Sequence, residues 1–224
     1  LDMMDVAKKS MVPPFEISVF PDPAGSFTTA AAMVACTEKT LKEKFQTDLN
    51  KKRIMIYGGK GIVGGISAIM CAQNGADCTI IGYDGIKNVQ KKAEEYKSRF
   101  GVDIKPGDGS SDEMNSSFLP EADVIFCAAR AGTQVLSKQQ LSLAENAMVL
   151  ADVNAVPPAG LEGVGIKDDD QKHECGGLSI GPLTSGDIKV KTQYKMFEKM
   201  CSTDKPLYLN FDEALKTARE ILKI

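Results

Sequence analysis

Residues 53–65 read RIMIYGGKGIVGG, and the fold follows from them. Ile54, Met55 and Ile56 form the apolar heart of a short buried strand over 53–57. The chain then turns on glycine and continues as an apolar helix over 62–74, which Gly75 stops. Gly59, Gly61 and Gly64 make a G-x-G-x-x-G motif. Such a motif means little alone, but here it follows a strand and opens a helix, the context in which it cradles a dinucleotide. Gly59 permits the tight turn, Gly61 lets the backbone approach a pyrophosphate, and Gly64 lets the helix pack on the strand. Lys60, Ile62 and Val63 complete the loop, with the phosphates expected on the free N–H groups and positive dipole of the helix start. A glycine-rich turn without a ligand is the competing reading.

Downstream the rhythm repeats. Strands are expected over 77–82, 102–105, 123–127 and 147–151, and helices over 62–74, 86–100 and from Ser137 to Leu143. Residues 107–112 read as a loop and helix start, and the tail as helices over 189–201 and 212–222. Upstream, the alternation FEISVF (15–20) reads as a strand, and Ser26 as the N-cap of a helix to about Phe45. Strands alternating with helices imply a parallel sheet covered on both faces, a Rossmann-like doubly wound α/β fold. The polar stretch Gln46 to Lys52 reads as a domain boundary. It sets a dinucleotide-binding domain over 47–190 apart from residues 1–46, with C-terminal helices over 191–224 returning to the N-terminal part.

Three strand ends carry candidate ligands. Tyr83 and Asp84 follow the second strand, Asp84 standing where an acid accepts the ribose hydroxyls and repels a 2′-phosphate. No arginine is there to hold that phosphate, although Lys87 is one helical turn on. Capping of the next helix is the other role open to Asp84. The small residues Ala128 and Ala129, with Arg130, leave room for the cofactor's ribose and nicotinamide after the fourth strand, or simply pack closely. The loop ADVNAVPPAG (151–160) brings Asp152 and Asn154 to the same edge, or is only a stiff turn.

Composition excludes other classes. The 224 residues carry 27 Lys plus Arg against 30 Asp plus Glu, a net charge of −3 without the basic excess of a nucleic-acid binder. No apolar run approaches the ~20 residues that span a bilayer. Six cysteines without a CxxC pair read as free, mostly buried thiols of a reducing compartment, hence the cytoplasm. His173, the lone histidine, and Cys175 are too few for a metal site and fall in what reads as a polar loop. The chain starts at Leu1, without methionine, and reads as a cut piece of something longer.

DPAGSFTTAAA (22–32), GKGIVG (59–64) and ADVNAVPPAG (151–160), in that order, resemble the NAD(P)-dependent methylene-tetrahydromethanopterin dehydrogenases of one-carbon metabolism, whose relatives also take methylene-tetrahydrofolate. The similarity runs from about Val12 to Glu198. It implies NAD or NADP as cofactor, a pterin or folate as small-molecule substrate, a homo-oligomer, and hydride transfer from an N–CH2–N carbon. It places Asp22, Thr28, Thr29 and Asp152 on the pterin side, although turn and capping chemistry would equally explain Asp22, Thr28 and Thr29. A looser match over 181–191 adds Lys189 to the cofactor residues. No catalytic side chain is assigned.

The chain departs from the family in three ways. Further upstream residues are missing, so 1–46 reads as a remnant of an N-terminal α/β domain. Tyr83 replaces the arginine of NADP-dependent members, which with Asp84 leans the cofactor toward NAD. Gln193 and Tyr194 replace a histidine and an arginine. A non-catalytic NAD(P)-binding module and a shikimate-type dehydrogenase remain as alternatives, the Asn-Ala-x-Pro-Pro loop favouring the first reading over the last.

Overall fold

The computed structural model describes residues 3–224. It opens with an exposed helix α1 (Met3–Ser10) and reaches α2 (Ser26–Phe45) through a 3-10 turn at Pro23–Gly25. Then follow β1 (Arg53–Tyr57), α3 (Ile62–Gln73), β2 (Asp77–Gly82), α4 (Ile86–Phe100), β3 (Lys105–Asp108), α5 (Asp112–Ser117), β4 (Val124–Cys127), α6 (Lys138–Leu141) and β5 (Val149–Asp152). A hairpin of β6 (Asp169–Lys172) and β7 (Leu178–Ile180), then α7 (Pro182–Cys201) and α8 (Phe211–Leu222), complete the chain.

The seven strands are ordered β3-β2-β1-β4-β5-β7-β6. Only β6 runs antiparallel to its neighbour. Central β1 pairs with both β2 and β4, Ile54 lying opposite Cys78 on one side and Val124 on the other. Strand order reverses there, so a crevice opens beyond the carboxyl ends of β1 and β4, the general ligand position in such sheets.

A strand that faces two layers must be apolar on both sides. Ile54 and Ile56 join the core made with α2, α3, α4, α7 and α8, while Met55 and Tyr57 join the opposite core with Leu119, Leu136, Leu141 and Leu161. Ala30 to Ala35 of α2 lie fully buried in the first of these cores, which therefore does not divide at Gln46–Lys52. The tail helices pack against α2 and each other, closing that layer.

Several expected elements differ. Residues 15–20 are not a strand: Phe15 and Ile17 are 79% and 67% exposed, and only Val19 pairs, with Tyr208. The alternation there has no sheet to lie on. Ser26 is the first helical residue rather than the N-cap, which is Gly25. The third strand lies at Lys105–Asp108 rather than 102–105, because its ladder to β2 begins at Lys105 opposite Thr79. β6 and β7 were not expected, and α7 starts seven residues before Lys189, at Pro182, where proline's fixed φ suits a first helical turn. His173 lies in the polar turn between β6 and β7, as expected, but its ring is buried: it is 4% exposed, with Nδ1 3.1 Å from the Cys175 sulfur and Nε2 3.1 Å from the Glu162 carbonyl.

Candidate functional site

The glycine loop is built by close approach. Gly58 adopts φ +81, and a Cβ there would sit 2.5 Å from the Ala128 carbonyl, so the ends of β1 and β4 touch through bare backbone. A Cβ on Gly59 would overlap Ile80, and one on Gly64 would lie 2.6 Å from the Gly58 carbonyl. Gly61 differs from these. Its only near neighbours are the Gly58 carbonyl at 3.2 Å and the Ala128 carbonyl at 4.0 Å, and the residue is exposed. Gly61 is also the N-cap of α3, and no side chain caps that helix. The first amides of α3 are thus left without intrahelical acceptors or a cap, at the positive end of a 12-residue helix. A glycine cradle below free N–H donors fits the pyrophosphate of a dinucleotide.

Beside the loop, Asp84 lies two residues beyond the end of β2. Its carboxylate is ion-paired with the Lys60 ammonium and accepts a bond from Asn88 Nδ2 at 3.2 Å. The Lys60 hydrogen bond, above all, holds the Asp84 carboxyl below its usual range. Gly85, not Asp84, occupies the N-cap position of α4. Tyr83 is 86% exposed. Lys87 is exposed and, among the described residues, lacks an ion-pair partner. Ala128 and Ala129 are half-buried beneath the loop, while Arg130 points outward as an exposed residue.

The other expected site residues are bound up in scaffolding. Asp152 is 1% exposed; one oxygen accepts the Asn154 amide at 2.8 Å and the other the Leu161 amide at 2.9 Å. Both carboxylate oxygens are thus engaged in holding the loop that follows β5. Burial raises the Asp152 pKa despite those bonds. Asn154 is 6% exposed, accepting from the Gly132 and Val156 amides and donating to the Pro158 carbonyl. It ties the loop after β4 to the double-proline turn. Cys127, beside them, has its thiol pushed up to about 12, by burial first and the Asp152 charge second.

Asp22 caps α2: its oxygens accept the Phe27 and Thr28 amides, the Thr28 hydroxyl at 2.7 Å and, from across the fold, Gln193 Nε2 at 2.8 Å. Thr28 is fully buried, and the Thr29 hydroxyl donates to the Gly25 carbonyl at 2.7 Å. Lys189 lies against Gly25, within 2.9 Å of where a Cβ there would stand, so it belongs with the Asp22 turn. Sequence reasoning gave Gln193 no such partner. It lies 171 residues from Asp22, and no local pattern marks the contact. Among the described residues no group of three or more His, Cys, Asp or Glu could hold a metal ion, and no helix is long and apolar enough to cross a membrane.

No protein-family model matches the chain. Over 222 residues, 99% of the chain, it is 46% identical to the NAD(P)-dependent methylenetetrahydromethanopterin dehydrogenase of Methylorubrum extorquens, of which it covers 75%. Among solved structures it resembles quinate dehydrogenase from Corynebacterium glutamicum in complex with NAD (TM-score 0.53, 10% identity, 100% of this chain and 83% of that one). It also resembles shikimate 5-dehydrogenase from Listeria monocytogenes in complex with shikimate and NAD (TM-score 0.51, 16% identity, 98% and 81%). At such identities the two structures speak for the fold alone.

Proposed function

The chain belongs to the NAD(P)-dependent methylenetetrahydromethanopterin dehydrogenase family, an enzyme family of oxidoreductases, and from that premise we propose that it takes a hydride from the methylene carbon of a reduced pterin or folate, leaving the methenyl form. The observation that carries the reading is the uncapped start of α3 above Gly61. A bound nicotinamide dinucleotide supplies the hydride acceptor. The chain's own residues bind and orient. The amides of Ile62 and Val63 would hold the pyrophosphate, Asp84 would hold the adenosine ribose, and Ala128 and Ala129 would leave space at the end of β4. The rigid loop that Asp152 and Asn154 hold walls the crevice, and the Asp22–Thr28–Gln193 network fixes the turn on its substrate side.

The substrate carbon lies between two nitrogens, whose lone pairs stabilise the cation left when hydride departs. No strong general base is required, only alignment at ~3–3.5 Å, which agrees with the inert thiol of Cys127 and the sealed carboxylate of Asp152.

Asp84, held charged just beyond β2, and the absence of an arginine beside it favour NAD over NADP. Six free cysteines support a cytoplasmic enzyme, and the exposed Val190, Tyr194 and Phe197 on one side of α7 support assembly with further copies. The test is calorimetric titration with NAD and NADP, paired with cofactor reduction in the presence of methylene-tetrahydromethanopterin or methylene-tetrahydrofolate. Binding of a dinucleotide with reduction by either substrate is expected, and failure to bind both cofactors overturns the reading.

A further inference from the structure

Lys60 occupies the variable position between the first two glycines of the motif, where a side chain has no part in the turn itself. Its ammonium nevertheless reaches the Asp84 carboxylate, 24 residues on. The stem crosses the end of β2 at a bare position: a Cβ on Gly82 would stand 3.1 Å from Lys60 Cδ and 3.5 Å from Asp84 Oδ1. The side chains of Lys60 and Asp84 are 28% and 34% exposed, so the pair is open to water and to a competing ligand. Asn88 Nδ2 lies on the same carboxylate oxygen.

We propose that Lys60 is a specificity-determining residue that works against Asp84 and admits a 2′-phosphate to a site which Asp84 alone would close to it. The inference rests on the dinucleotide reading of the glycine loop. Asp84 by itself sets a negative charge where the 2′-substituent of the adenosine ribose lies. The Lys60 ammonium cancels that charge. With a free 2′-hydroxyl, the carboxylate accepts a hydrogen bond from the hydroxyl and Lys60 remains its ion-pair partner. With a 2′-phosphate, the ammonium and Asn88 Nδ2 turn to the phosphate oxygens. Both cofactor types are then held by one pair of side chains whose balance sets the preference.

The experiment measures calorimetric affinities of NAD and NADP for the full chain and for Lys60→Met, Asp84→Asn and the double variant, with melting curves to confirm that each is folded. Methionine keeps the apolar stem and removes the charge. Lys60→Met should lower NADP affinity about tenfold relative to NAD. Asp84→Asn should move the ratio about tenfold the other way, and the double variant should fall between them. The NADP-specific loss should shrink as salt is raised. If Lys60→Met weakens both cofactors equally, Lys60 merely grips the pyrophosphate and the inference fails. An unchanged ratio in a folded variant also overturns it. A wild type that binds neither cofactor overturns both the inference and the dinucleotide reading, so the two failures are told apart by the wild type alone.

Discussion

The glycine loop and its two neighbours, the loop after β5 and the turn before α2, use their polar groups in opposite ways. In the glycine loop, backbone donors are left over: the start of α3 has no cap, and Gly61 is exposed. In the loop after β5 and the turn before α2, nearly every polar atom is already used. Asp152 holds two amides, Asn154 bridges two loops, and Asp22 gathers two amides, a hydroxyl and an amide side chain. The first stretch is made to receive, the second to hold still. Substitutions in the first should therefore change binding, and those in the second should change stability or the shape of the crevice.

Gly61→Val is the sharpest way to break that contrast. A branched side chain would fill the space above the loop, and dinucleotide affinity should fall about a thousandfold, ~4 kcal/mol, with the melting temperature nearly unchanged. Calorimetry beside a melting curve checks it; unchanged affinity in a folded variant would show that the loop is only a turn.

Asp152→Ala should do the reverse. Two buried amides lose their acceptor, at about 3 kcal/mol, and a protein of this size should melt on the order of 5–10 °C lower. A loss of cofactor binding with full stability would contradict the holding role. Asp152 also makes a pH prediction. Its folded pKa lies above the 3.8 of a free carboxyl, so the stability it contributes is full below that value and is lost as pH rises through the folded pKa. Wild type should therefore lose stability relative to Asp152→Asn as pH climbs from about 4, in denaturant titrations at a series of pH values. The opposite slope would mean that the backbone bonds outweigh burial.

The smallest effect is expected at Gln193. Gln193→Ala removes one hydrogen bond to Asp22, worth about 1 kcal/mol, and should leave cofactor affinity untouched. If NAD affinity drops as well, the two stretches are coupled and the division is too simple.

How much of this was legible in the sequence follows the same division. The central strands and the glycine loop could be read because a strand buried on both faces must be apolar throughout, and a motif at its end is local. β6 escaped notice because Asp169–Lys172 reads DDQK, an edge strand with no apolar side to signal it. Phe15 to Phe20 misled for the converse reason: the alternation is real, but only Val19 finds a partner. The glycines and Asp84 stand out by position in the motif, whereas the pairing of Lys60 with Asp84 depends on how a loop and a strand end come together. The tasks of Asp152 and Asn154 depend on the path of the Pro-Pro loop, and Gln193 on the return of the tail across the whole fold.

The two ends of the sheet bear on how copies of the molecule can meet. At one end β6 carries a register shift between Asp169 and Gln171, and Asp170 at φ 54 turns back to the Thr40 hydroxyl at 2.5 Å and the Lys44 ammonium at 3.8 Å. At the other, β3 reads KPGD and sets a proline, without an N–H, in the rim strand. A bulge, charges and a proline are the devices that keep open rims from adding strands. Both rims of the sheet therefore resist the addition of a further strand.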